Sequence, residues 1–215
     1  LLAMGGTAPA LLTPIGLALS AAFVLAERRA VSPILPLGLL ARRDVAVASA
    51  VSLGLGAILM AVVNFLPLFI QGVKGGTPVD AGALVAPMLV GWPIAATLSS
   101  RFILRLGARR AVMLGCLMGA VACAALAAAT AFGGRLAIGA SMFLLGTGLG
   151  TATSTLIIVL QSSVEWRERG VITATNVFAR FFGGTLGVTI MGAVLARTLK
   201  RSLDPARVAE VLDTE

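Results

Sequence analysis

GVITATNVFARFFGGTLGVTIMGAVLAR, residues 170–197, is apolar and rich in small residues over a length that crosses a bilayer, with one cation, Arg180, inside it. As a helix rising ~1.5 Å per residue it would carry Arg180 ~15 Å deep, near the middle of a hydrocarbon core ~30 Å thick. A guanidinium there costs roughly 2.5–3.5 kcal/mol even on permissive insertion scales, so it faces a wet cavity or partner helices. Two roles are open to it: lining a polar path, or a structural charge neutralised by another helix or by backbone carbonyls.

The same kind of run recurs upstream, over residues 2–26, 45–73, 81–102, 111–132 and 136–161. Each meets the ~20 residues a spanning helix requires. The reading is an all-α membrane protein with about six transmembrane helices. Of the 215 residues 58% are hydrophobic before the 25 glycines are counted, against ~45–50% with glycine included in soluble domains. Charged residues make up 12% and gather in bands between the runs instead of spreading over helix faces. Residues 27–44, with Pro33, Pro36 and the closing Arg42-Arg43, read as a cytoplasmic connector with a short interfacial helix. Residues 45–197 hold the five-helix bundle, and the charge-balanced stretch 198–215 reads as an extracytoplasmic loop or tail. The opening Leu-Leu-Ala lacks the basic region of a secretory signal, and the chain reads as part of a longer one.

Orientation follows from the arginines. Residues 27–44, 101–110 and 162–169 carry ten of them, while the opposite connections carry only Lys74 and Arg135, so the arginine-rich side is cytoplasmic. The net charge of +8 is accounted for in this way, and with no soluble domain to present a basic face, nucleic acid is not an expected partner. Histidine is absent, which removes zinc sites and His-based catalysis; no metal or cofactor is expected, and no nucleophile-and-base constellation marks an enzyme. Cys116 and Cys123 lie seven apart on one run, a spacing that cannot close a disulfide within a helix.

Chemistry is carried on helix faces. Gly146, Gly150, Ser154 and Gln161 fall on one stripe of the fifth run, and Asn176, Arg180, Gly183 and Gly187 on one stripe of the sixth, polar toward the cytoplasm and small beyond. Small residues at that spacing are helix-packing seams and let another helix approach closely. Asn64 and Gln71 share a face of the second run, with Phe65 and Phe69 nearby and Pro67 offering a kink. They read equally as glue between helices, at about 0.6 kcal/mol each, or as the wall of a cavity for an amphipathic ligand. Asp80 stands where an outer helix starts and suits a first-turn or capping acid.

Ser100-Arg101-Phe102-Ile103-Leu104-Arg105-Leu106-Gly107-Ala108-Arg109-Arg110 resembles the cytoplasmic loop signature of the major facilitator superfamily, with Ser100 at its glycine position and Leu104 at its acidic one. Those departures are similar to the degenerate copy in the second half of such transporters, and they leave no acid-based latch at Leu104. Further segments resemble the fourteen-span drug/proton antiporter branch: Glu27-Arg28-Arg29 with Pro33-Ile34-Leu35-Pro36-Leu37; Phe65 to Gln71 with Gly76-Thr77-Pro78 and Ala81-Gly82; and Arg169-Gly170 with Asn176, Arg180, Gly183-Gly184 and Leu186-Gly187. The resemblance implies the C-terminal portion of such a transporter, comprising the second extra central helix and five of the six helices of the C-terminal half. It implies export of lipophilic or cationic drugs by alternating access, coupled to protons, in the plasma (inner) membrane. On that mapping the lipid bilayer and an N-terminal transporter half are the partners. No Asp or Glu lies inside any run, so the proton-carrying carboxylate would come from that other half. Asn64, Gln71, Gln161, Asn176 and Arg180 are the candidate cavity or path residues. Ser100, Arg101, Arg105, Gly107, Arg109 and Arg110 form the loop motif. The competing readings are a non-transporting membrane anchor or assembly subunit, and a facilitator for another small solute.

Overall fold

The bilayer core offers no water to peptide groups, so a spanning segment of an all-α protein must satisfy its N–H and C=O groups within its own helix. The computed structural model describes residues 42–202, together with single helical positions at Ala18, Ala22 and Leu25. The remainder of the span expected over 2–26, the connector over 27–41 and residues 203–215 lie outside the described residues. Two compact units divide the chain, Leu1–Ala46 and Val47–Glu215. The first contains the opening turn of α1, and all packing below belongs to the second.

Five helices follow one another: α1 Arg43–Gly72, α2 Pro78–Leu106, α3 Ala108–Phe132, α4 Arg135–Ser162 and α5 Arg169–Ser202, with a 3-10 turn at Trp166–Glu168 before the last. All five are long and apolar enough to cross a membrane. Even α3, with 25 residues, extends well past the ~30 Å hydrocarbon thickness at ~1.5 Å per residue. The protein is an integral membrane protein. Helix continues through Pro67 in α1 and through Pro87 and Pro93 in α2. Hydroxyl groups mostly return to their own helix: Ser99 donates to Ala96 O at 2.6 Å and Thr153 to Leu149 O at 2.7 Å, so they need no water at depth.

The helix ends show where charge bands and structure part company. The stretch 100–110 is no open loop: Ser100, Arg101 and Arg105 sit in the last turns of α2, and Gly107 alone separates α2 from α3. Its φ of 79° is the left-handed conformation that glycine tolerates, and its N–H still closes α2 on Ile103 O at 2.9 Å. Helix α5 likewise runs past Arg197 to Ser202. On the opposite side Thr77 and Asp80 form a capping box: the Thr77 N–H donates to Asp80 Oδ2 at 2.9 Å and the Asp80 N–H to Thr77 Oγ1 at 3.2 Å. Asp80 also pairs with Arg135, tying the first turns of α2 and α4.

Helix α4 is the hub. Its apolar stretch is 61% buried, against 28% or less for the others, whose large apolar side chains, Leu89 and Leu117 among them, are left to lipid. Against α4, α3 runs antiparallel, Gly115 meeting Ala152 and Gly148 while Gly119 meets Gly148. Helix α2 runs parallel to α4, its Gly91 beside Phe143 and Thr147. Gly146 lies against the Met88 carbonyl, and a methyl at Gly150 would come within 2.6 Å of Trp92 O. Helices α1 and α5 also run parallel, with Gly183 on the Leu53 carbonyl, Gly56 on that of Arg180 and Gly187 on that of Ala57. Consecutive helices alternate in direction, so these two parallel seams join helices that are not neighbours in sequence.

Candidate functional site

Along α5 polar groups are stacked by depth, the first meeting α4 and the next α1. At the end where α5 begins, Gln161 Nε2 donates to Thr173 Oγ1 at 3.0 Å, and Thr173 donates to Arg169 O at 2.7 Å. About one turn further, Asn176, 1% exposed, donates from Nδ2 to Ser52 Oγ at 2.8 Å and lies 3.5 Å from Ala48 O. Its Oδ1 is buried without a partner among the described residues.

Arg180 lies one turn deeper still. Its carbonyl rests where the missing side chain of Gly56 leaves room, and its side chain is half-buried at a cleft of about 180 Å³ lined by Gly56, Leu59, Met60, Trp92, Arg180 and Phe181. The cleft therefore draws on α1, α2 and α5 together. Among the described residues no carboxylate pairs with Arg180; Asp44, Asp80, Glu165 and Glu168 all stand at helix ends or in connections. The guanidinium nitrogens are not fully buried among the described residues.

The remaining expected path residues are not gathered here. Asn64 is exposed and donates to Met60 O of its own helix at 2.7 Å; Gln71 is exposed in the last turn of α1. From Gly56, level with Arg180, Asn64 is ~12 Å further along the axis. Phe65 and Phe69, which the sequence puts beside these amides, line a different space, an apolar cavity of about 770 Å³ between α1, α3 and α5 that also takes in Leu126, Ile190 and Met191. Adjacent helix positions are ~100° apart, so Asn64 and Phe65 diverge. That cavity escaped the sequence reading; its traces were the small residues Ala57, Ala61, Ala127 and Gly187 among bulky ones on three separate helices.

Of the motif residues, Ser100, Arg101, Arg105, Gly107, Arg109 and Arg110 are exposed, and none of these arginines is ion-paired among the described residues. Gly146, Gly150, Gly183 and Gly187 sit in helix-helix seams, away from the stretch motif. No group of three or more metal-ligating side chains forms among the described residues.

Sequence comparison gives one family and a consistent set of relatives. The model of the Major Facilitator Superfamily matches residues 1–188. Multidrug transporter protein MdtP of Bacillus subtilis (strain 168) is 27% identical over 173 residues, which are 80% of this chain and 32% of that protein. Multidrug resistance protein 3 of the same organism is 29% identical over 86% of this chain and 36% of its own length. The tetracycline resistance determinant of Streptomyces rimosus is 33% identical over 89% of this chain and 56% of its own. The chain thus spans between about a third and little more than half of these relatives.

Proposed function

The chain belongs to the Major Facilitator Superfamily, and from that premise we propose that it is the C-terminal part of a secondary transporter that exports lipophilic compounds in exchange for protons. The carrying observation is Arg180: a half-buried cation in the body of a spanning helix, without a carboxylate among the described residues, at a cleft shared by α1, α2 and α5. A cation in the body of a span is costly unless it meets water or partner helices, and in a transporter a hydrated route supplies the water. The relatives are named for multidrug and tetracycline resistance, which favours efflux over uptake. Alternating access then follows from a second bundle rocking against this one, the arginines of the α2/α3 connection facing the cytoplasm of a plasma (inner) membrane. With no acid in the apolar body of any span, the second bundle supplies the proton-carrying carboxylate.

The test is accumulation of a panel of lipophilic fluorescent compounds in cells expressing the protein in its native reading frame. Accumulation should fall several-fold against an empty-vector control and recover when a protonophore collapses the gradient. Unchanged accumulation across the panel would reject efflux, and export that survives the protonophore would reject proton coupling.

A further inference from the structure

The one-residue turn between α2 and α3 gathers cations at the depth of lipid headgroups. Taken from Pro78 at the outer edge, a rise of ~1.5 Å per residue puts Arg101 ~35 Å and Arg105 ~40 Å along α2. That is past the ~30 Å hydrocarbon layer and within the ~40–45 Å that includes the headgroups. Arg101, Leu104 and Arg105 share one face of the last turns of α2, and all three are exposed, Leu104 at 86%. Gly107 returns the chain at once, so Arg109 and Arg110 stand exposed in the first turn of α3 at the same level. No acid occurs between residues 101 and 110. Cations are disfavoured at a helix N-terminus, where free N–H groups already present positive charge, and α3 has neither an acid in its first turn nor a side-chain cap. An anion beside this turn answers the arginines and the helix end together.

Leu104 narrows the choice of anion. Helical side chains lean toward their own N-terminus, which for α2 is back toward the hydrocarbon, while long arginine side chains extend outward to the polar layer. The turn therefore offers charge at headgroup level and apolar surface just beneath it, the order in which a phospholipid carries its phosphate and its chains. Arg167, on the same side of the membrane, differs in lying between Glu165 and Glu168, which offset it. We propose that the α2/α3 turn holds an anionic phospholipid as a bound ligand, its phosphate on Arg101, Arg105, Arg109 and Arg110 and an acyl chain against Leu104. The site is independent of what the transporter exports.

The experiment is native mass spectrometry of the protein, expressed in its native reading frame and released from nanodiscs of equal parts phosphatidylglycerol and phosphatidylcholine. Retained phosphatidylglycerol should exceed phosphatidylcholine at least fivefold. An arginine near an anionic surface strengthens attraction roughly fivefold, so Arg105→Gln with Arg109→Gln should lower retention more than tenfold, and Arg167→Gln should leave it within twofold. Equal retention of the two lipids, or equal losses in both variants, would overturn the proposal. Free glycerol phosphate should not compete, since it has no chain to meet Leu104; competition would assign the turn to a soluble anion instead. A photo-crosslinking p-benzoylphenylalanine in place of Leu104 should yield a lipid adduct. A crosslink to another segment of the polypeptide in its place would show that protein, not lipid, covers the turn.

Discussion

Asn176 and Ser52 show what one residue contributes at depth. Their 2.8 Å bond links α5 to α1 in a place where Asn176 is 1% exposed. Such bonds between membrane helices average ~0.6 kcal/mol and reach ~1.7, because the unfolded chain in lipid also finds partners. A double-mutant cycle of Asn176→Ala and Ser52→Ala, read from unfolding in mixed micelles, should return a coupling in that range. Zero coupling would remove the bond from the account of the seam. Asn176 was legible in the sequence as an amide on a helical stripe. Ser52 was not, because a serine in an apolar helix ordinarily satisfies itself on its own carbonyls, as Ser99 and Ser141 do. Arg180 stood out for a simpler reason: an ionised group has no cheap internal partner, so its position alone demands an explanation.

At the scale of the element, two glycines two positions apart, on opposite faces of α1, are expected to answer the same substitution with opposite signs. A Cβ at Gly54 meets nothing within 4 Å, so Gly54→Ala should stabilise α1 by about 0.5–1 kcal/mol through helix propensity. At Gly56 a methyl would overlap the Arg180 carbonyl, and Gly56→Ala should cost about 1–3 kcal/mol through overpacking. Thermal inactivation of the two variants in one detergent checks this, and shifts of the same sign would contradict the close approach. Both residues look alike in the sequence, since partner identity is set by tertiary placement. Spans were legible as apolar runs because lipid forces helix on them. Their ends were less so. Charge bands mark the membrane edge, while a helix continues as far as its backbone allows, which is why Arg101 and Arg105 belong to α2 and Gly107 makes the stop.

For the whole molecule the arginine bias yields a topology that labelling can check. With Cys116 and Cys123 replaced by Ala, Lys74→Cys and Gly134→Cys should react with an impermeant maleimide in intact cells. Arg105→Cys and Arg110→Cys should react only after permeabilisation, and the opposite pattern would invert the molecule. The pairing of helices was beyond the sequence. Stripes at 146–150 and 183–187 announce that something comes close, but not that the first faces Met88 and Trp92 on α2 and the second Leu53 and Ala57 on α1. The second of these seams has a mechanical consequence. Where Gly56, Gly183 and Gly187 bring main chain onto main chain, each rod seats in notches of the other, and a lengthwise shift would carry a side chain onto the facing backbone. The bond from Asn176 to Ser52 fixes the same register, so the depth of Arg180 against α1 is pinned at more than one point along a single edge.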